Sequence, residues 1–360
     1  MFHLEAKYAG TKQLLDKKKT KQIIFRHSHI AITDYTLGDN WEFEKLLSVW
    51  DKMSFKYILM GGYYVKSLRE FRVNRGFSIY ILRQHFPGYP MVVENCAYDS
   101  KPAKIELYTA PRSDFQKVAL SFMLAKGEFT NNENFTQCMI TLPTGSGKSY
   151  CGTAITAIRK ARALVIVPLA KLLPQWADSY TNFTSVKGDE ILIIQGGKVC
   201  EEILEGKHKD KKVFIAMIDT IAAFNKRYGD IKTMDLLSAT RAEIKIVDEI
   251  HLDMKAIAML EAMSNFKYNY YMSATPGRSD GKENWMFKQL FYHVPKFGEG
   301  FVTQEEKHLN IMVKRYYFTP TQRQINRMVN RKVGINTKLY ERELALSPPE
   351  VKQSFKDSLI

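Results

Sequence analysis

The chain has 360 residues, 45% of them hydrophobic, and carries a formal net charge of +15. That length allows two or three domains with cores of their own, and the ordinary apolar content excludes a disordered or fibrous chain. The positive balance favours a polyanionic partner, most simply nucleic acid, and 12% aromatic residues supply faces on which bases stack. Cys96, Cys138, Cys151 and Cys200 show no zinc spacing and read as reduced thiols of an intracellular protein. No N-terminal stretch has the form of a signal peptide, and no apolar run approaches the ~18 residues of a membrane span. The expected location is the cytoplasm.

In chain order, residues 1–108 read as a small α+β accessory domain that binds DNA. It opens on a basic run, Lys17, Lys18, Lys19 and Lys21, beside strand-like residues 22–25. Residues 29–33 predict a second strand and residues 41–53 a helix. Lys66, Arg69, Arg72 and Arg75 recur every three residues. On a helix they form a one-sided stripe and on extended chain a ribbon, read either as phosphate contacts or as a solvated charged face. Pro87, Gly88 and Pro90 predict turns.

Residues 109–300 alternate strand and helix. Strands are predicted at 138–142, 163–167, 190–194, 213–217, 243–247 and 269–272, with helices at 149–158 and 169–180. Asp219 or Thr220 is the expected cap of the helix after 213–217. Such alternation predicts an α/β fold with a parallel sheet covered by helices on both faces. Residues 301–360 are charged and helical in flavour, broken at Pro320, Pro348 and Pro349, and read as a connector.

Two motifs carry chemistry. Strand 138–142 runs into Pro143, Thr144, Gly145, Ser146, Gly147, Lys148 and Ser149, and then a helix beginning with Ser149 and Tyr150. Strand, glycine-bearing loop and helix are the context of a phosphate cradle. Backbone N–H groups and the helix N-terminus surround phosphates there. Lys148 reaches the β- and γ-phosphates, and the Ser149 hydroxyl ligates Mg²⁺. The first position of G-x-x-x-x-G-K-[ST] is Leu142 rather than Gly. The second motif is Asp248, Glu249, Ile250, His251 at the end of strand 243–247. Asp248 is placed to hold Mg²⁺, Glu249 to polarise water as a general base, and His251 to link the nucleotide to a neighbouring element. An Asp-Glu pair alone reads as a solvated turn; with a cradle upstream it reads as a catalytic site for a nucleoside triphosphate.

In this order the segments resemble the first motor domain of superfamily 2 helicases. Arg112 to Gln116 resembles the adenine-recognition element, with Phe115 beside Gln116, whose amide can pair with an adenine edge. Residues 142–149 resemble motif I. Pro168, Lys171, Gln175 and Trp176 resemble motif Ia and Thr220 motif Ib, which implies contact with the nucleic-acid backbone. Residues 248–251 resemble motif II. Ser273, Ala274 and Thr275 resemble motif III, which couples hydrolysis to movement, and Arg278 follows as in the DNA-translocating branch. Within the superfamily the arrangement resembles phage DNA helicases of the T4 and T5-like kind. That implies an ATP- and Mg²⁺-dependent helicase acting on forked, branched or duplex DNA in recombination, repair or replication, in the host cytoplasm.

The resemblance also implies a RecA-like fold with a second RecA-like domain whose arginines reach the γ-phosphate. No Q-x-x-G-R-x-x-R run follows residue 300. The second motor domain is therefore expected to lie in a missing C-terminal part or to be supplied in trans, with weak turnover by this chain alone. Rival readings are an RNA helicase of the same superfamily, a restriction-type translocating subunit, and a non-enzymatic DNA-binding module that holds ATP as a structural ligand.

Overall fold

In the computed structural model, which describes residues 20–98, 100, 102–126, 136–142, 145–274 and 281–298, the chain opens on short strands. These are β1 (Ile23–Phe25), β2 (His29–Thr33), β3 (Ser48–Asp51), β4 (Lys56–Leu59), β5 (Tyr63–Val65), β6 (Glu70–Asn74) and β7 (Met91–Val93). Five of them form a sheet in the order β5-β6-β2-β1-β7. Its pairings are antiparallel except that β7 runs parallel to β1. β3 and β4 stand apart as a two-stranded hairpin. Lys17 to Lys19 and all of residues 301–360 lie outside the described residues.

The expected helix over residues 41–53 is half right. A helix spans Trp41–Leu46, capped by the Asn40 side chain, which accepts from Phe43 N–H. The chain then turns into β3, because Ser48–Asp51 finds a strand partner in β4. The Asp51 carboxylate closes the turn between them, accepting from Met53 N–H and Ser54 N–H at 3.0 and 3.3 Å. The apolar spacing suited either structure; long-range pairing decided between them.

The spacing of Lys66, Arg69, Arg72 and Arg75 does not make a basic stripe. Residues 70–74 are a strand, so Phe71 packs against Tyr35 and Phe43 while Glu70, Arg72 and Asn74 share the opposite face. Arg72 is 3% exposed; it pairs with Glu70 and donates to the Ala262 carbonyl. Arg75 lies over the Phe25 ring at 4.7 Å, and Arg69 pairs with Asp34. Only Lys66 and Arg69 of the four are exposed.

The larger sheet has seven strands: β8 (Gln137–Thr141), β9 (Ala163–Val167), β10 (Ile191–Ile194), β11 (Val213–Met217), β12 (Ile244–Val247), β13 (Tyr268–Ser273) and β14 (Lys296–Phe297). The order is β10-β11-β9-β12-β13-β8-β14, and every pairing is parallel. Helices cover both faces, so the strands are continuous apolar runs; Leu164, Val165, Ile166, Ile215 and Ile246 are all essentially inaccessible. The helix after β11 begins at Ile218, and neither Asp219 nor Thr220 caps it through its side chain. Asp219 instead occupies the first turn, where its charge complements the helix dipole. Registers Thr141 with Ser273 and Tyr271 with Val247 bring the C-terminal ends of β8, β13 and β12 side by side, where open α/β sheets bind ligands.

One apolar cluster joins the two sheets, with Phe43 and Phe71 on one side and Ile257, Leu260 and Phe287 on the other. A polar seam runs through it. Arg26 is paired with Glu70 at 2.9 Å and Glu94 at 2.7 Å. Asn74 donates to Tyr271 Oη, Tyr271 donates to Glu261, and Glu261 pairs with Lys245 at 2.6 Å. Lys245 sits in central strand β12 and has no accessible surface. Ser28 Oγ meets Asn269 Oδ1 at 3.0 Å. His29 Nδ1 lies 3.1 Å from the Ser264 carbonyl, which can only accept, so the proton is on Nδ1 and Nε2 accepts from Arg26. Cys138, Cys151 and Cys200 are buried free thiols and Cys96 a half-buried one. Among the described residues no helix is long and apolar enough to cross a membrane.

Candidate nucleotide and nucleic-acid site

β8 feeds a loop in which Gly145 and Gly147 take φ of +85° and +96°, a left-handed region that glycine enters without strain. Gly147 has a second constraint, because a Cβ there would lie 2.3 Å from Gln116 Nε2. The helix Lys148–Arg159 then begins, aiming its free N–H groups and positive dipole end at the loop. Ser149 sits half-buried in its first turn. Pro143 and Thr144 lie outside the described residues. Tyr150, expected in the cradle, is buried; its hydroxyl donates to the Thr109 carbonyl and its ring meets Phe183 at 5.3 Å. Its side chain secures the helix and is not presented to a nucleotide.

Lys148 reaches across to β12. Its Nζ lies 3.4 Å from Glu249 Oε1 and 3.3 Å from the Leu142 carbonyl. Asp248 is 8% exposed, and Trp176 Nε1 donates to its Oδ2 at 3.0 Å. Burial pushes the Asp248 carboxyl upward, and the Glu249 charge adds to that; the Trp176 hydrogen bond and Lys148 pull the other way. Glu249 has φ of +48°, which costs a residue with a Cβ roughly 1–2 kcal/mol. The turn is held by Glu249 N–H to Asp248 Oδ1 at 3.0 Å and Ile250 N–H to the Met272 carbonyl at 3.2 Å.

Glu249 is also the meeting point with β13. Its Oε2 accepts from Ala274 N–H at 3.4 Å and lies 3.5 Å from His251 Nδ1. His251 Nδ1 is 2.8 Å from Ser273 Oγ. Lys148, Asp248, Glu249, His251, Ser273 and Ala274 thus form one connected cluster at the ends of three neighbouring strands. Thr275 and Arg278 lie outside the described residues.

On the other flank, Ser113 caps the helix Asp114–Met123. Gln116 is 1% exposed. Its Nε2 donates to the Ser146 carbonyl at 3.0 Å, and its Oε1 accepts from Arg112 N–H at 2.9 Å. Arg112 also donates to the Gly145 carbonyl. Gln116 therefore braces the cradle, and pairing with an adenine edge requires these bonds to be exchanged. Phe115 is half-buried against Phe297 at 5.4 Å.

The expected nucleic-acid contacts divide. Lys171 and Gln175 are exposed, and Pro168 and Thr220 half-buried. Trp176 is 1% exposed, so it cannot touch a nucleic-acid backbone; its ring packs over Gly152 and its N–H orients Asp248. A Cβ on Gly152 would come within 2.7 Å of that ring. The signal in the sequence was a glycine in a helix interior, which marks close approach by a neighbour. Gly196 and Gly197, unremarked in the sequence, line an open cleft of about 310 Å³ with Asp219, Thr220 and Arg227 beyond β10 and β11.

Residues 109–278 match the family described as "Type III restriction enzyme, res subunit". The matched segment takes in β8 to β13, with the cluster at the C-terminal ends of β8, β12 and β13. This RecA-like domain is similar to "DNA 3'-5' translocase XPB2" of Sulfurisphaera tokodaii, with 24% identity over 202 residues, 56% of this chain and 39% of that protein. It is also similar to "DNA 3'-5' helicase XPB" of Kineococcus radiotolerans, with 29% identity over 152 residues, 42% of this chain and 25% of that protein. The chain therefore spans well under half the length of these curated relatives. The UvsW helicase of bacteriophage T4 is 19% identical in structural superposition, with a TM-score of 0.48, covering 77% of this chain and 99% of that one.

Proposed function

We propose that this chain is the nucleotide-binding half of an ATP-driven DNA helicase or translocase of phage type that acts on forked, branched or duplex DNA. The observation that carries the reading is the junction of Lys148 with Glu249 at 3.4 Å, beside a buried Asp248, at the C-terminal edge of a parallel sheet. The XPB proteins named above, described as DNA translocase and helicase, support DNA over RNA as the partner.

The residues fit ATP and Mg²⁺. Gly145 and Gly147 leave a loop whose backbone faces the ligand, and Lys148 is already held among acceptors that a phosphate resembles. Ser149 and Asp248 would hold Mg²⁺, whose charge neutralises phosphate oxygens and relieves the burial of the Asp248 carboxylate. Trp176 keeps Asp248 in its rotamer. Release of Lys148 from Glu249 to a phosphate frees Glu249 to accept a proton from water. A purely structural site has no use for that base, which disfavours a non-enzymatic ATP-holding module. His251 and Ser273 carry a change at Glu249 to β13, and through it to Thr275 and Arg278. Lys171, Gln175 and Thr220 would touch the DNA backbone. A second motor domain, in the same or another polypeptide, would complete the site. Residues 1–108 serve as an accessory domain, 109–300 as the motor domain and 301–360 as a connector, in the cytoplasm.

The test is ATP turnover with and without forked DNA or an RNA duplex. DNA-specific stimulation that disappears in Lys148→Ala supports the reading; turnover indifferent to that substitution defeats it.

A further inference from the structure

Among the described residues, core aromatics such as Phe43, Phe71 and Phe77 are at most 1% exposed. The β3–β4 hairpin does the opposite. Its turn presents Met53 at 89% and Phe55 at 79% exposure, with Trp50 and Trp41 about half exposed on its flank. The turn is built to hold this shape. Asp51 accepts from Met53 N–H, Ser54 N–H and Ser54 Oγ, and Phe55 takes φ of +49°, a conformation rare for a bulky residue. Trp41 and Trp50 each meet Tyr57 edge to face, at 5.6 and 5.1 Å, so the flank is a continuous aromatic surface.

The hairpin's root is fixed as well. Met60 N–H and Gly61 N–H both donate to the Leu47 carbonyl at 2.9 Å. Gly61 packs so tightly on Met286 that a Cβ would lie 2.8 Å from its sulfur. Met286 belongs to the helix Gly281–Leu290, which follows β13 and the Ser273 element. The hairpin is thus seated against the helix that comes after β13 in the chain.

Charge selects the occupant. Lys52 and Lys56 are exposed on either side of Met53 and Phe55, and Lys45 Nζ lies 5.6 Å from the Tyr57 ring. Of the nearby acids, Asp51 is committed to the turn. Apolar and aromatic tips between lysines suit unpaired or end-exposed bases, whose faces stack while the phosphates meet ammonium groups. A second copy of this +15 chain would bring like charges together.

We propose that the β3–β4 hairpin is a base-stacking contact through which Met53 and Phe55 engage exposed base faces of a single strand or fork junction. This rests on the DNA-motor reading above. The experiment uses the full chain and measures binding by anisotropy to three labelled DNAs: a fork, a single strand, and a dumbbell duplex closed at both ends by non-nucleotide linkers, so that it carries no unpaired base. In Met53→Ala/Phe55→Ala, affinity for fork and single strand falls about tenfold or more, since one stacked base contributes ~1–3 kcal/mol. Dumbbell and MgATP affinities stay as in the wild type, and Phe55→Trp retains fork binding. Unchanged fork affinity overturns the proposal, as does an equal loss on the dumbbell. A change of oligomeric state with DNA binding intact overturns it too, and gives the tip to a protein partner. If the wild type binds neither MgATP nor DNA, the motor reading itself has failed; if it binds both and the variants match it, only the hairpin proposal has.

Discussion

The two sheets are built on opposite rules. The seven-stranded sheet is parallel, covered on both faces, and filled by branched aliphatic side chains, with chemistry confined to the loops beyond its strand ends. The five-stranded sheet is largely antiparallel and buries ionisable groups: Arg26, Glu70, Arg72 and His29 are each at most 5% exposed. The first arrangement is exacting at its edge and, inside, at Lys245; the second is exacting throughout its interior. The seam between them, from Arg72 and Asn74 to Tyr271, Glu261 and Lys245, is where the two rules meet.

The largest expected effect breaks that seam. Burial pushes Lys245 down and Glu261 up, and the attraction between the two opposes both shifts. Glu261→Ala leaves an unpaired ammonium in the core and should cost ~3–5 kcal/mol in urea unfolding. Lys245→Met/Glu261→Leu should cost less than either single substitution, because no charge is stranded. If the double substitution is the worst of the three, the seam is a net source of stability.

Acid is the next probe. Burial alone would raise the Glu70 carboxyl, but Arg72 and Arg26 more than offset it and hold it at about 2, against an ordinary value of 4.5. A depressed carboxyl contributes stability above its unfolded value and loses it as pH falls through the folded one. The Glu70 contribution, roughly 3 kcal/mol, should therefore fade between about pH 4.5 and 2. Burial also holds His29 neutral, well below its ordinary 6.5, so a further loss should begin as pH falls past 6.5. Glu70→Gln should flatten the lower part of a stability-against-pH curve and leave the upper part in place.

A smaller effect links packing to the site. Gly152→Ala drives a methyl against the Trp176 ring and should cost ~1–3 kcal/mol. Because Trp176 orients Asp248, Mg²⁺-dependent nucleotide affinity should fall with it. The smallest effect has the opposite sign. Asp248→Asn removes a buried charge while keeping an acceptor for Trp176, so thermal unfolding of the ligand-free protein should rise by under ~2 kcal/mol while turnover is lost. A fall in stability would mean that the site is relaxed without its metal.

Legibility followed the same division. The six strands predicted in the parallel sheet are present, within a residue or so at each end, because buried parallel strands leave predominantly apolar runs. β14, with only Lys296 and Phe297, is too short to leave one. Lys148, Asp248, Glu249, His251, Ser273 and Ala274, singled out from the order of their motifs, lie together because the C-terminal ends of β8, β13 and β12 are neighbours. Trp176 was misplaced because a motif position does not reveal which way a side chain points. Nothing in the run 243–247 marks Lys245 as buried, and only the second helix-covered face shows that it has nowhere to meet water. Arg72 was misread for a related reason: spacing by three suggests a helical stripe, whereas the strand's period of two sends it inward. The hairpin tip was hidden in an apolar pattern that equally suits a helix.

The most direct test of the account is calorimetric titration of the full chain with ATP, with and without Mg²⁺, beside Lys148→Ala. The account predicts saturable, Mg²⁺-dependent binding by the wild type and at least a tenfold weaker affinity, ~1.4 kcal/mol or more, in the variant. Equal affinity in the two proteins would contradict it, and would mean that the cluster around Lys148 and Glu249 is not a nucleotide site.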